Sequence, residues 1–140
     1  MLIKAVILAF LALEFSNVMA LYFAPGSKYA NAVGVFTAWE KSKQDPEIHD
    51  FVKYLVYWVA GVKLIVLSLL GAIILFGDSN LQRISLVVLG LTTASFYWRL
   101  FPIIRKLDLK EQINPKNYSL TIGFMIFGFI VFFALAAIIN

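Results

Sequence analysis

The sequence predicts an all-α integral membrane protein, a four-transmembrane-helix up-down bundle with a short amphipathic interfacial helix in its first cytoplasmic loop. Hydrophobic residues make up 61% of the 140 residues and charged residues only 14%, whereas a soluble domain carries about 25% charged residues. The mean hydropathy of the chain is +0.86. Its apolar residues fall into four runs, each long enough for a spanning helix of about 20 residues. Four such spans nearly exhaust the chain, so we expect a single membrane domain over residues 1–140.

The first half of the chain contains two of the predicted spans. A span over about residues 2–24 ends at a Pro-Gly-Ser cluster that begins at Pro25. Residues 28–43 have apolar side chains at helical spacing and charged side chains at the far end, which favours the interfacial helix. The alternative is a continuation of the first span beyond a break. Asp45 suits the N-cap of the next helix, and the membrane-embedded part of that helix covers about residues 52–76.

The third span follows a tight Gly-Asp turn and covers about residues 80–102. Ser79 with Gln82 three residues later matches a capping box at the start of this helix. Pro102 is expected to end it, because proline lacks the backbone N–H that a helix needs.

The fourth span covers about residues 117–139. The polar residues 105–116 precede it as the third loop, and Asn114 followed by Pro115 repeats the cap-then-proline pattern of a helix start. This span is rich in phenylalanine and carries no charge, so we expect it to face lipid or another subunit.

The basic residues predict the orientation of the protein in its membrane. Only Lys4 and Arg83 lie on one side of the predicted spans. Nine basic residues lie on the other side: Lys28, Lys41, Lys43, Lys53, Arg99, Arg105, Lys106, Lys110 and Lys116. By the positive-inside rule the first and third loops are cytoplasmic and both termini face outside. We expect the inner or plasma membrane of a bacterial or archaeal cell.

Composition and motifs exclude several kinds of site. The chain has no cysteine and one histidine, which excludes disulfides, thiolate metal sites and a bis-histidine haem site within one subunit. It contains no phosphate-binding glycine loop, nucleophile elbow or HExxH motif. We therefore predict no catalytic residues, no metal site and no cofactor, and we favour a protein that is not an enzyme. We expect membrane lipids and a homo-oligomer or larger membrane complex as partners, and no nucleic acid.

Two charges remain that orientation does not explain. Lys63 lies about 13 Å, and Glu14 about 15 Å, from the cytoplasmic end of its span at 1.5 Å per residue. Opposite charges therefore fall at similar depth on two consecutive antiparallel helices. A lone charge at such depth costs about 2.5–3.5 kcal/mol, and intramembrane charge commonly marks a functional site. We predict that Glu14 and Lys63 meet, although the pair could also serve only to specify helix packing.

Three polar residues complete the predicted intramembrane cluster. Asn17 lies one helical turn from Glu14 and could join the pair. Thr92 and Thr93 lie in the middle of the third span, and periodicity does not decide which of them faces the cluster.

A separate group lies at the cytoplasmic end of the third span. Arg99 follows Tyr97 and Trp98, a combination that suits contact with lipid headgroups. The alternative is an anion-binding role for Arg99 in a cavity on the cytoplasmic side.

Transport is the first of three functional hypotheses, with Glu14 and Lys63 serving a transporter or an ion or proton pathway. A small bundle encloses little volume, so we expect such a pathway between the subunits of an oligomer. Glu14 resembles, in position only, the essential glutamate in the first span of the small multidrug-resistance transporters. The long first cytoplasmic segment, Lys63 and the overall length depart from that family.

Two other hypotheses stay open. The first alternative is a non-catalytic subunit, or an assembly or scaffold protein, that binds lipid or another membrane protein. The second is a membrane enzyme that acts on a lipophilic substrate. Four spans, this length and a large first loop resemble the trimeric glutathione-dependent eicosanoid-metabolising membrane enzymes. Residues 47–54, however, lack the recurring arginine, asparagine and glutamate of that family's second helix.

Overall fold

The structure is a computed structural model that describes residues 2–139; Met1 and Asn140, the ends of the predicted domain, lie outside the described residues. About 83% of the described residues are helical, and no strand occurs between residues 2 and 139. Within this range four helices are long and apolar enough to cross a membrane: Leu2–Phe23, Pro46–Phe76, Ser79–Leu109 and Tyr118–Ile139. The all-helical class and the four membrane-length helices predicted from the sequence are therefore confirmed.

The helices are numbered in chain order. They are α1 (Leu2–Phe23), α2 (Thr37–Ser42), α3 (Pro46–Phe76), α4 (Ser79–Ala94), α5 (Phe96–Leu109) and α6 (Tyr118–Ile139). A short 3-10 helix, Val33–Val35, precedes α2.

The segment predicted as one interfacial helix over residues 28–43 is not a continuous helix. The backbone N–H groups of Val33 and Gly34 donate to the carbonyls of Pro25 and Ser27 at 3.0 and 3.1 Å, so the chain folds back on itself. The prediction of a continuous helix is therefore wrong. Only α2, which is six residues long, and the 3-10 helix before it are helical in this segment.

Aspartate side chains cap the starts of α3 and α4. Asp45 caps α3 as predicted, accepting hydrogen bonds from two backbone N–H groups of the first turn. The N-cap of α4 is Asp78, whose carboxylate accepts from the backbone N–H of Leu81 at 2.7 Å. The predicted capping box at Ser79 is therefore wrong by one residue. The Gln82 amide nitrogen instead donates to the carbonyl of Gly77, the residue after α3, at 2.9 Å.

The third membrane-length helix is interrupted at Ser95 and continues beyond Pro102. The Ser95 hydroxyl donates to the Thr92 carbonyl at 2.6 Å, and a new helix, α5, begins at the next residue and reaches Leu109. Proline removes one backbone hydrogen bond, but α5 packs along α6 and this contact stabilises the helix beyond it. The prediction that this helix ends at Pro102 is therefore wrong.

Asp108 fixes the start of α6 from the neighbouring helix. Its side chain is buried and accepts hydrogen bonds from the backbone N–H groups of Asn117 and Ser119, at 3.0 and 2.9 Å, and from the Ser119 hydroxyl. Asp108 therefore satisfies donors that a helix start leaves open. The predicted cap at Asn114 is wrong.

The helices pack more closely at one end of the molecule than at the other. α1 contacts α3 and α6, and α4 contacts α6. A buried cluster closes the end where α1 begins: Ile3, Ile7, Leu70, Leu86, Leu89, Phe133, Ala136 and Ala137. A smaller cluster lies near the other end of α1: Leu21, Ala32, Val56 and Ala60. α3 and α5 make little direct contact with each other.

The first and third loops lie against each other. The backbone N–H of Thr37 donates to the Gln112 carbonyl, and that of Asn114 donates to the Val35 carbonyl, both at 2.9 Å. These two loops are therefore on the same side of the molecule.

Candidate functional site

Glu14 of α1 and Lys63 of α3 form a salt bridge midway along the two helices. Lys63 Nζ donates to Glu14 Oε2 at 2.6 Å. The two helices pack side by side in opposite directions, which brings together residues that the sequence places at the same depth. The Glu14 side chain is 26% exposed and the Lys63 side chain is 30% exposed. Pairing offsets part of the free energy that each charge loses when apolar groups replace water around it.

Asn17 binds the same ammonium group and links it to the first loop. Lys63 Nζ donates to Asn17 Oδ1 at 2.6 Å, and Asn17 Nδ2 donates to the carbonyls of Ala30 and Asn31 at 2.6 and 2.9 Å. Ala30 and Asn31 have φ values of 52° and 54°, a left-handed conformation that residues other than glycine seldom adopt. The two hydrogen bonds from Asn17 stabilise this turn, so the ion pair and the loop belong to one network.

The network reaches α6 through Tyr118. Its hydroxyl donates to Asn31 Oδ1 at 2.7 Å. Sequence reasoning misses both residues, because no helical spacing relates them to Glu14 and their positions depend on the fold of the first loop. We call Glu14, Asn17, Lys63, Asn31 and Tyr118 the polar network.

A cavity of about 650 Å³ lies beside the ion pair, and α1, α3, α4, α5 and α6 all contribute to its wall. Most of the wall is apolar. Its polar side chains are Glu14, Asn17, Asn31, Lys63, Thr92 and Thr93. Two apolar residues of the first loop, Val33 and Phe36, also line it. One chain therefore forms a sizeable but partly open cavity, and the expectation of a pathway between subunits stays a prediction.

Thr92 and Thr93 both line the cavity without joining the ion pair. The Thr92 hydroxyl donates to the carbonyls of Val88 and Leu89 in its own helix, at 2.8 and 3.1 Å. Among residues 2–139, neither threonine forms a hydrogen bond with Glu14 or Lys63. Of the predicted cluster, Glu14, Asn17 and Lys63 therefore belong to the polar network. Thr92 and Thr93 line the cavity but are not part of that network.

The three residues predicted for headgroup contact, Tyr97, Trp98 and Arg99, do not form one group either. The Arg99 guanidinium lies over the Trp98 ring, 5.0 Å from its centroid, and both side chains are exposed. The Tyr97 hydroxyl instead donates to the Gly123 carbonyl of α6 at 2.6 Å. Tyr97 is therefore a contact between helices, and Arg99 with Trp98 remains the candidate for binding a headgroup.

Comparison with known proteins gives no functional guide. No family model, no curated protein and no solved structure matches the chain. No cluster of three or more metal-ligating side chains occurs among the described residues. Function must therefore be inferred from the cavity and the polar network beside it.

Proposed function

We propose that the protein is a small integral membrane transporter for a lipophilic molecule, which it binds in the cavity beside Glu14 and Lys63. The observation that carries this proposal is an ion pair in the wall of a mostly apolar cavity. Apolar pockets of about 300–1,000 Å³ with a few convergent polar groups are typical of sites for small organic molecules. Charges at membrane depth commonly mark substrate pathways.

The same geometry favours a lipophilic substrate over an ion or a proton. Glu14 and Lys63 already satisfy each other at 2.6 Å, so a passing ion would have to compete with a charged side chain. The part of the wall that α5 supplies is apolar: Phe96, Leu100, Ile103, Ile104 and Leu107. These side chains offer nothing to replace the hydration shell that an ion gives up inside a pore.

The proposed arrangement is an up-down bundle with both termini outside and the first and third loops in the cytoplasm of a bacterial or archaeal cell. The hydrogen bonds between the two loops support it, because they require both loops to lie on one side. α2 carries exposed Lys41 and lies within the first loop, as a helix at the cytoplasmic surface would. A homo-oligomer or larger complex fits the proposal, because the cavity of one chain is partly open.

Transbilayer movement of lipids in proteoliposomes tests the proposal. Three lipids labelled with NBD on identical acyl chains serve as probes: a glucosyl diacylglycerol, a phosphatidylglycerol and a phosphatidylcholine. Dithionite reduces NBD in the outer leaflet only, so slow loss of the remaining fluorescence measures movement. We expect the protein to accelerate the movement of at least one probe.

Two tryptophan variants of α3 make this experiment specific for the cavity. Val62 lines the cavity, whereas Ile65 on the same helix is 62% exposed and lies outside the wall. Val62→Trp should slow movement about tenfold, an increase of about 1.4 kcal/mol in the barrier, and Ile65→Trp should leave it unchanged. No acceleration by the wild type, or equal loss in both variants, would contradict a transport pathway through the cavity.

A lipid-binding, non-catalytic subunit is the second candidate. The polar network favours it, because these contacts tie α1, α3, α6 and the first loop into one unit. Lipid binding that Val62→Trp abolishes, without any transbilayer movement, would favour this function over transport. We assign no catalytic residue to the remaining hypothesis of an enzyme.

A further inference from the structure

We infer that the molecule bound in the cavity has an uncharged head that both donates and accepts hydrogen bonds, such as a hydroxyl group, on an apolar body. This inference rests on the proposed function, because it names the chemistry of the molecule that the cavity takes.

The charge of the cavity wall is the first reason. Glu14 and Lys63 are the charged residues of the wall, and their salt bridge carries no net charge. A cationic head would compete with Lys63 for the carboxylate, and an anionic head would compete with Glu14 for the ammonium. Either would leave one charge without its partner in apolar surroundings, which is strongly unfavourable. An uncharged head leaves the salt bridge intact.

The hydrogen-bonding capacity that the ion pair retains is the second reason. A lysine ammonium has three N–H donors, and Lys63 uses two of them, toward Glu14 Oε2 and Asn17 Oδ1. Glu14 Oε1 is accessible and makes no hydrogen bond with any residue from 2 to 139. One donor of Lys63 and one acceptor of Glu14 therefore remain unused within the ion pair. A hydroxyl group can satisfy both, since it accepts from Lys63 and donates to Glu14, whereas an ester or ether oxygen can only accept.

The remainder of the wall determines the body of the molecule. Val62 and Val66 of α3 face the cavity opposite the apolar side chains of α5. The cavity is partly open, so a hydrocarbon chain bound there can extend into the surrounding lipid. The site therefore suits a small uncharged head at mid-depth with tails that stay in the membrane.

Native mass spectrometry of the full chain in detergent measures which head is preferred. The probes have identical diacyl tails: a glucosyl diacylglycerol with an uncharged head rich in hydroxyl groups, an anionic phosphatidylglycerol and a cationic trimethylammonium-propane lipid. We expect the glucosyl lipid to bind about tenfold more tightly than either charged lipid. Equal or tighter binding of a charged lipid by the wild type would overturn the inference. The proposed function would then still stand if lipid movement depends on Val62.

Variants of the ion pair should change the preference in opposite directions. Lys63→Met leaves the carboxylate unpaired and should shift preference toward the cationic lipid, whereas Glu14→Gln should shift it toward phosphatidylglycerol. The exchange Glu14→Lys with Lys63→Glu keeps the net charge at zero and should retain the glucosyl preference. Ser16→Ala is the control, because the Ser16 hydroxyl bonds to the Leu13 carbonyl of its own helix.

Two results separate failure of the inference from failure of the proposed function. If both single variants keep the wild-type lipid preference, the inference is wrong but the proposed function is not affected. If none of the three lipids binds, the inference is also wrong. If, in addition, the protein does not accelerate lipid movement, the proposed function is wrong. The wild-type comparison is decisive even if a single variant does not fold.

Discussion

At the scale of single residues, Asn17 gives the Glu14–Lys63 salt bridge a role beyond neutralising charge. Its amide oxygen accepts from Lys63 and its amide nitrogen donates to two loop carbonyls. Because one side chain joins the ion pair to the loop, a change in either charge should also affect the backbone turn at Ala30 and Asn31.

A double-mutant cycle measures what the salt bridge contributes to stability. Glu14→Gln and Lys63→Met should each lower the free energy of unfolding, since each leaves the other group without its charged partner. The double variant should lose less than the sum, with a coupling free energy on the order of 0.5–3 kcal/mol. Steric trapping in bicelles measures these values, and Ser16→Ala should change them little. A double variant that loses the full sum would show that the contact adds no stability.

The sequence predicts part of this site for a simple geometric reason. Helical rise places Glu14 and Lys63 at the same depth, and helical periodicity places Asn17 near Glu14. The partners of the Asn17 amide, Ala30 and Asn31, could not be predicted in the same way. They belong to a left-handed turn whose shape depends on hydrogen bonds between distant parts of the loop.

At the scale of elements, the first loop is a folded structure rather than a simple connection. Its two halves approach so closely at Gly34 that a Cβ atom there would overlap the carbonyl oxygen of Gly26. Since neither backbone can move without breaking the hydrogen bonds between the halves, only glycine fits at this position.

Two glycine substitutions test this packing. Gly34→Ala should destabilise the protein by about 1–3 kcal/mol or more, as overpacking does, and should raise hydrogen exchange in the first loop. Gly71→Ala is the matched control, because a Cβ there meets nothing within 4 Å; it should stabilise α3 by about 0.5–1 kcal/mol. Thermal unfolding and hydrogen exchange measure both. Equal tolerance of the two substitutions would contradict the close approach.

The helices themselves were easier to predict than their ends. Runs of apolar residues predict the four long helices because membrane-length hydrophobic segments have few other stable conformations. The ends depend on single side chains, and some of these come from elsewhere in the chain. Asp108 caps α6 from the end of α5, a contact that no local pattern around Asn114 contains. Pro102 was expected to end a helix that packing against α6 extends to Leu109.

At the scale of the whole molecule, the two loops that hydrogen-bond to each other define one face. Thr37 and Asn114 make these bonds, and the turn at Gly77 lies at the opposite ends of its helices. Membrane orientation can therefore be tested at three positions, two on one face and one on the other.

Single cysteines provide this test, because the chain has no cysteine of its own. Lys41, Lys110 and Asn80 are exposed positions for substitution. By the positive-inside rule, a membrane-impermeant maleimide should label Asn80→Cys in intact cells. It should label Lys41→Cys and Lys110→Cys only in inverted vesicles. Labelling of Lys41→Cys and Lys110→Cys from opposite sides would contradict the shared face. Labelling of both in intact cells would show that the orientation is opposite to the one proposed.

The partly open cavity affects how affinity should be measured in a bilayer. The first loop contributes Asn31, Val33 and Phe36 to one part of the cavity wall, and a buried cluster fills the far end of the molecule. We therefore expect a molecule to enter from the side of the bundle, where α3 and α5 make little contact. A molecule that arrives by this route first dissolves in the lipid. Occupancy of the cavity should then depend on the mole fraction of the molecule in the bilayer. The concentration of the molecule in water should matter only because it sets that mole fraction by partitioning. Analogues with the same head but no tail should bind weakly however well the head fits.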